Sequence, residues 1–254
     1  MKFDQIKESK HIVVDPWICM DCGAEYEPTL NTQCPGCLGN NTKSKLNISV
    51  ITNFGCQTDC WYCIWKVHRL KDVALDTDWE KLEAFLTLYK DKGKVSVSGG
   101  GDCLYRYDIY EDWWNKFFEM CNRLNLLVDV HSRQPFLLDD FWKKVNRVVV
   151  SSDFLSEDIE YFRYLVNFTK MRVVHVVTEF STIEGIQEYL DWQEESGCQF
   201  TIKPLSNFDD KGMFEKVRET FPDIYFLEEG DYNIYFMPDN TVTDDFMGEV
   251  CNGR

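Results

Sequence analysis

"LNISVITNFGCQTDCWYC" (46–63) runs an apolar, β-branched segment straight into three thiols, Cys56, Cys60 and Cys63. Five more runs of the same kind follow: "KVSVS" (94–98), "LLVDVH" (126–131), "RVVVS" (147–151), "RVVHVVT" (172–178) and "QFTIK" (199–203). Each has the length and composition of a strand buried on both faces. Helical patterns fill the gaps. Trp79, Leu82, Phe85, Leu86 and Tyr89 recur at helical spacing after the cap candidates Asp76 and Thr77, and Gly93 stops them. Trp113, Trp114, Phe117, Phe118 and Cys121 mark a second helix, and Pro135 opens a third. Ser156 and Ser181 are N-cap candidates for the next two, with Ser181 and Glu184 forming a capping box and Gly197 closing that helix. A sixth spans 211–220.

Six β-then-α units in strict alternation imply a parallel sheet with right-handed crossovers. They are too few for an eight-stranded barrel. The expected fold is α/β: a partial (β/α)6 TIM-like barrel over 46–254, or an open doubly wound sheet. The tail "DIYFLEEGDYNIYFMPDNTVTDDF" (223–246) adds a β extension, read as a strand, a Gly-Asp turn, a second strand and a Pro-Asp-Asn turn.

Residues 1–45 differ in kind. After a short lead-in they are rich in Cys, Gly, Asn and Thr and lack apolar runs, so they cannot build a core unaided. Cys19 and Cys22 form one C-x2-C pair, and Cys34 and Cys37 another, eleven residues on. Two such knuckles set four thiolates around one tetrahedral ion, with Zn2+ the expected metal and iron in a rubredoxin-like site its competitor. A four-thiolate site has no open position, so its role is structural, or it presents a surface to a partner.

Cys56, Cys60 and Cys63 pose the opposite problem. Three thiolates cannot complete a zinc site, and on a 4Fe–4S cluster they leave one iron open to an outside ligand. The C-x3-C-x2-C spacing, with the aromatic Tyr62 before the last cysteine, resembles the radical S-adenosylmethionine superfamily. So does "SVSGGGD" (96–102) after the second strand, which is similar to that superfamily's Gly-Gly-Glu loop. Here the loop is Gly99, Gly100, Gly101 and Asp102, so the acid stands one residue late.

The resemblance covers about residues 46–204 and implies three things. A 4Fe–4S cluster on the three cysteines binds S-adenosylmethionine through its open iron. The glycine loop takes the cofactor's amino group. Polar strand ends, with Arg133, Ser151 and Lys203 the candidates, hold its carboxylate and ribose. Reduction by an external flavodoxin- or ferredoxin-like donor then releases a 5′-deoxyadenosyl radical, which abstracts hydrogen from the substrate. That substrate is a protein glycine, a nucleotide, a peptide or a small molecule. The short barrel suits a glycyl-radical enzyme activase, although "SSDF" (151–154) lacks those activases' Asp-Leu-Lys-like stretch. The competing class is a non-catalytic iron–sulfur electron-transfer or scaffold protein.

Other residues read more plainly. His175 within an apolar strand is a hydrogen-bonded core histidine, His68 a surface residue, and Cys103, Cys121 and Cys198 isolated core thiols. Cys251 is a tail thiol, or a substrate or cluster contact. Trp61, Trp65, Tyr105 and Tyr107 are aromatics able to stack on a substrate ring. No stretch approaches the roughly 18–20 apolar residues of a membrane span. "MKFDQIKESKHIVVD" (1–15) lacks a signal-peptide core, which points to the cytoplasm and to reduced thiols. The net charge of −16 argues against broad nucleic-acid binding, because the chain repels phosphate backbones.

Overall fold

The computed structural model describes residues 17–19, 25–26, 42–44, 47–58, 60–63, 76–133, 139–152, 164–166, 169–196, 198–204, 209–222, 224–226 and 233–244. Cys22, Cys34, Cys37, Trp65, His68, Pro135, Ser156, Gly197 and Cys251 lie outside them, and of the helix expected after Ser156 only Tyr164 and Leu165 are described as helical. In the amino-terminal segment, β1 (Trp17–Cys19) pairs antiparallel with both β2 (Glu25–Tyr26) and β3 (Thr42–Ser44).

The main sheet begins with β4 (Asn47–Gly55), which carries the cysteine loop at its carboxyl end. β5 (Lys94–Gly101), β6 (Leu127–Ser132), β7 (Arg147–Ser151), β8 (Lys170–Val176) and β9 (Gln199–Lys203) follow, each parallel to its predecessor. Across these six strands, neighbours in sequence are neighbours in the sheet. With right-handed crossovers that order puts their helices on one side and curls the sheet around the other, as in a partial barrel.

The tail departs from the sequence reading. β10 (Tyr225–Phe226) extends the sheet parallel to β9. β11 (Asn233–Phe236) crosses to the far edge and pairs parallel with β4. β12 (Val242–Thr243) then folds back antiparallel on β11 through the Pro238–Asn240 turn. The tail therefore supplies both ends of a nine-stranded open sheet, β10 at one and the β11–β12 hairpin at the other, with eight strands parallel. Periodicity reveals a strand but not the edge it joins.

Helices α1 (Trp79–Leu88), α2 (Tyr107–Arg123), α3 (Asp139–Trp142), α4 (Ile183–Ser196) and α5 (Met213–Thr220) belong to the connections. Two caps differ from expectation. Asp78, not Asp76 or Thr77, caps α1 by accepting from Lys81 N, while Thr77 Oγ1 accepts from Trp113 Nε1. At α4, Thr182 accepts from Gly185 N, and Ser181 is instead turned to Thr178 N and His175. In both cases the residue nearest the first turn captures the free amide.

The strands' period-2 alternation sorts their side chains. One face (Ile48, Val50, Val95, Val97, Val128, Val130, Val148, Val150, Val173, Ile202) is buried with Leu82, Phe85, Trp114, Phe117 and Trp142 in a single core. The opposite, concave face carries Ser49, Ser96, Ser98, Asp129, His131, Arg147, Arg172 and Lys203. The expectation of strands apolar on both faces thus holds for the helix side alone; "KVSVS" and "VDVH" alternate rather than run. A polar concave face in a curled parallel sheet is a lined chamber, and its mouth is the carboxyl end of the strands.

Candidate active site

At that mouth the cysteine loop and the glycine loop are joined. Gly55 ends β4 opposite Gly101, after a register shift between Thr52 and Gly55, and Asp102 N donates to Gly55 O at 2.9 Å. Only glycine allows so close an approach. A Cβ on Gly101, whose φ is +135°, would lie 2.2 Å from Gly55 O, and one on Gly99 would lie 2.2 Å from Gly101 O. Gly100 is buried between them. Tyr105 closes over Gly55, its ring 3.1 Å from where a Cβ would stand.

Asp102 is 3% exposed and ties three strand ends together. Its carboxylate accepts from Leu104 N at 2.9 Å, from Ser132 Oγ at 2.8 and 3.1 Å, and from Arg133 N at 2.7 Å. The displaced acid of the loop therefore holds the glycine loop to the end of β6. Ser132 reads in the sequence as a polar strand end, but its bond to Asp102 does not. The available signal was a polar residue closing an apolar strand beside a Gly-Gly-Gly-Asp turn.

Cys56, Cys60 and Cys63 are half-buried in the loop after β4. Cys63 N donates to Cys60 O at 3.1 Å, closing a turn. Thr58 stands between two of the sulfurs. Its N–H donates to Cys56 Sγ at 3.4 Å, and its hydroxyl lies 3.0 Å from Cys56 Sγ and 3.6 Å from Cys60 Sγ. The Arg133 guanidinium reaches over from β6 and donates to Cys60 Sγ. Among the described residues no three His, Cys, Asp or Glu side chains converge as ligands of a single metal ion. Thiols spread about an intervening hydroxyl, with a cation and an amide donating to them, suit a larger, thiolate-bound cluster.

The other candidates are dispersed around the mouth. Tyr62 is half-buried, edge-on to the exposed Trp61, and Trp61 meets the exposed Phe180 of the loop after β8 edge-on at 6.2 Å. Phe180 had no sequence signal, since the contact joins distant loops. Ser151 is half-buried at the end of β7, and Lys203 is exposed at the end of β9. Tyr107 packs on Phe141, within the helix layer.

The fold has solved counterparts. SuiB of Streptococcus suis bound to S-adenosylmethionine superposes with a TM-score of 0.57 at 16% identity, over 81% of this chain and 60% of that one. SuiB bound to its precursor peptide SuiA gives 0.60 at 14%, over 84% and 62%. Native anSMEcpe with bound AdoMet and Kp18Cys peptide gives 0.53 at 13%, over 79% and 74%. The chain has the SuiB fold. It spans about three fifths of SuiB's length. No family model matches the chain, and no curated protein does.

His131, one residue before the end of β6, stands exposed on the concave side near the mouth. Its pKa falls from 6.5 to about 4, by burial first, against Asp129, and with Arg147, Lys203 and Arg172 pushing the same way as burial. Water reaching the open side tempers the burial effect, and the direction leaves a neutral ring at physiological pH. His175 lies on the helix side, 2.7 Å from Ser152 Oγ and 3.1 Å from Ser181 Oγ, a hydrogen-bonded core histidine. Cys103 is fully buried and donates to His131 O at 2.9 Å; burial, with the Asp102 carboxylate next, raises its pKa well above the usual range and keeps it a thiol. Cys121 and Cys198 are buried likewise.

Proposed function

We propose that this chain is a radical S-adenosylmethionine enzyme. Cys56, Cys60 and Cys63 would hold a 4Fe–4S cluster, and Gly99, Gly100 and Gly101 would present backbone to the amino group of S-adenosylmethionine. When bound, that cluster supplies the electron that splits the sulfonium into methionine and a hydrogen-abstracting 5′-deoxyadenosyl radical. The observation that carries this reading is the Gly55–Gly101–Asp102 junction, which fixes the thiol loop and the glycine loop side by side at the mouth of an open parallel barrel.

The chain's own residues then have definable tasks. Asp102 holds the glycine loop in place through Ser132 and Arg133 N. Thr58 and Arg133 donate to the thiolates and stabilise their charge. Tyr62, Ser151 and Lys203 border the mouth and are assigned to the cofactor's adenosine and carboxylate. The four-cysteine segment, with Cys19, Cys22, Cys34 and Cys37, is assigned one Zn2+ in a structural role, with iron as the competitor. The electron comes from a flavodoxin- or ferredoxin-like partner.

A peptide or protein substrate is favoured by one further observation. Trp61 and Phe180 form an exposed aromatic pair at the mouth, and two of the structural counterparts hold peptides. Among the described residues no helix is long and apolar enough to cross a membrane.

The deciding experiment is anaerobic reconstitution, reduction with dithionite and chromatography of 5′-deoxyadenosine against time. Slow substrate-free cleavage is expected, abolished in each of Cys56→Ala, Cys60→Ala and Cys63→Ala. A protein with a full cluster and bound S-adenosylmethionine that makes no 5′-deoxyadenosine would be the iron–sulfur scaffold instead.

A further inference from the structure

The concave face reverses the charge of the molecule. The chain carries 43 acidic against 27 basic side chains. Yet the register of β5 to β9 puts Lys94, Arg147, Lys170, Arg172 and Lys203 on the concave face, with Asp129 as the acid among them. Asp129 is fully buried and already engaged, accepting from Asn146 Nδ2 at 2.7 Å and from Arg147. A neutral acceptor, Gln199 Oε1, takes hydrogen bonds from both guanidiniums, from Arg172 at 3.1 and 3.3 Å and from Arg147 at 3.4 Å.

His131, Val149, Arg172 and Gln199 form one continuous row across four strands. Two residues beyond Gln199 on β9 sits Thr201. It is 1% exposed, and its hydroxyl meets no hydrogen-bond partner among the described residues. A buried hydroxyl without a partner costs on the order of 1–3 kcal/mol, so its retention asks for an acceptor. Both side chains lie beneath the mouth: Arg172 is four residues before the end of β8, and Thr201 two before the end of β9. Arg147 and Arg172 are half-buried and Lys170 and Lys203 exposed, and together they set a positive potential along the concave wall.

We propose that Arg172, with His131 of its row and Thr201 two residues along β9, forms the recognition site for an oxyanion, a carboxylate or phosphate, carried by the substrate. Calling the ligand a substrate rests on the radical reading above; the oxyanion site itself does not. Arg172 supplies the charged fork, Thr201 its hydroxyl, and the neutral His131 a ring N–H. An anion seated there directs the rest of the molecule up the chamber toward the cysteine loop.

The test uses the full reconstituted chain under anaerobic conditions. Its melting temperature is followed against inorganic phosphate and, separately, succinate, at ionic strength matched with chloride. A saturable rise beyond the chloride control is expected, and the arm that gives it separates phosphate from carboxylate. Arg172→Gln should abolish the response. Thr201→Val, which removes a hydroxyl but keeps the shape, should weaken apparent affinity several-fold without lowering the melting temperature of the anion-free protein. S-adenosylmethionine affinity, measured by equilibrium dialysis, should be unchanged in Thr201→Val. Equal shifts in chloride, or a full response in Thr201→Val, overturn the proposal. Joint loss of anion and S-adenosylmethionine binding in that variant also overturns it, by giving the row to the cofactor. Absence of 5′-deoxyadenosine from a protein that keeps the anion response would sink the radical reading and leave this one standing.

Discussion

Asp102 carries three donors on one buried carboxylate, and each comes from a different part of the mouth: Leu104 after the glycine loop, Ser132 at the end of β6, and the Arg133 amide just beyond. Truncation leaves all three facing a void. Asp102→Ala should therefore cost about 2–4 kcal/mol in urea unfolding, and S-adenosylmethionine binding should fall with it because the glycine loop loses its tether. Asp102→Asn, which keeps one acceptor oxygen, should fall between. An alanine variant with unaltered stability would show that the carboxylate is not the clamp. His131 makes a separate prediction. Its folded pKa is lowered to about 4 from 6.5, by burial first and with Asp129 opposing. Between those values the unfolded chain binds a proton that the folded chain does not, so this residue's contribution to stability is lost as pH falls from about 6.5 toward 4. The imidazole resonance should titrate well below 6.5, and His131→Asn should lose less stability than the parent chain over that window. A ring titrating at or above 6.5 would show that its exposed side governs its solvation.

At the scale of elements, β4 and β5 meet where neither has side chains. The sequence shows three consecutive glycines, and the resemblance it carries suggests a cofactor loop, but spacing alone does not say which glycine is indispensable. The geometry distinguishes them: Gly101 combines a φ of +135° with a 2.2 Å approach to Gly55 O, whereas Gly93 has a φ of +72° and nothing within 4 Å. Gly101→Ala should break the β4–β5 junction and release both cluster and S-adenosylmethionine. Gly93→Ala should cost only about 1 kcal/mol and leave iron content intact. Iron and cofactor stoichiometry of the two purified variants checks this, and equal iron in both would mean the junction is not needed. The same contrast shows what was legible. Strand runs, helix faces and the thiol spacing are local patterns, and they are visible in the residues. The caps at Asp78 and Thr182 shifted by one or two positions because several hydrogen-bonding residues compete at each helix start. The Asp102–Ser132 bond, Phe180 and the concave grouping of Arg172 with Thr201 were hidden, because each depends on which strands and loops become neighbours.

The whole molecule closes on its own beginning. β4 bears the cysteine loop, and the strand that covers its outer edge, β11, comes some 180 residues later in the chain. Asn233, Ile234, Tyr235 and Phe236 pair in parallel register with Asn47, Ile48, Ser49 and Val50, and Ile234 and Phe236 are buried in the common core. The hairpin is pinned a second time at its turn. Asn240 Oδ1 accepts from Asp78 N at 2.8 Å, and its Nδ2 donates to Asp76 O at 2.8 Å, at the start of α1. Such distant pairing forms late, since loop-closure entropy must be met first, and until it forms β4 is an open sheet edge beside the cysteine loop. A chain ended after Ile224 should therefore retain little iron after anaerobic reconstitution and should self-associate through the bare edge of β4. Asn240→Ala, which frees only the turn, should lose about 1–2 kcal/mol while keeping its iron and its monomer-to-oligomer ratio. Iron per chain and size-exclusion elution of both proteins decide it. A truncated chain with full iron and the elution of the intact protein would mean that β4 holds the cluster loop without β11, and that the tail is an ornament on a barrel already complete.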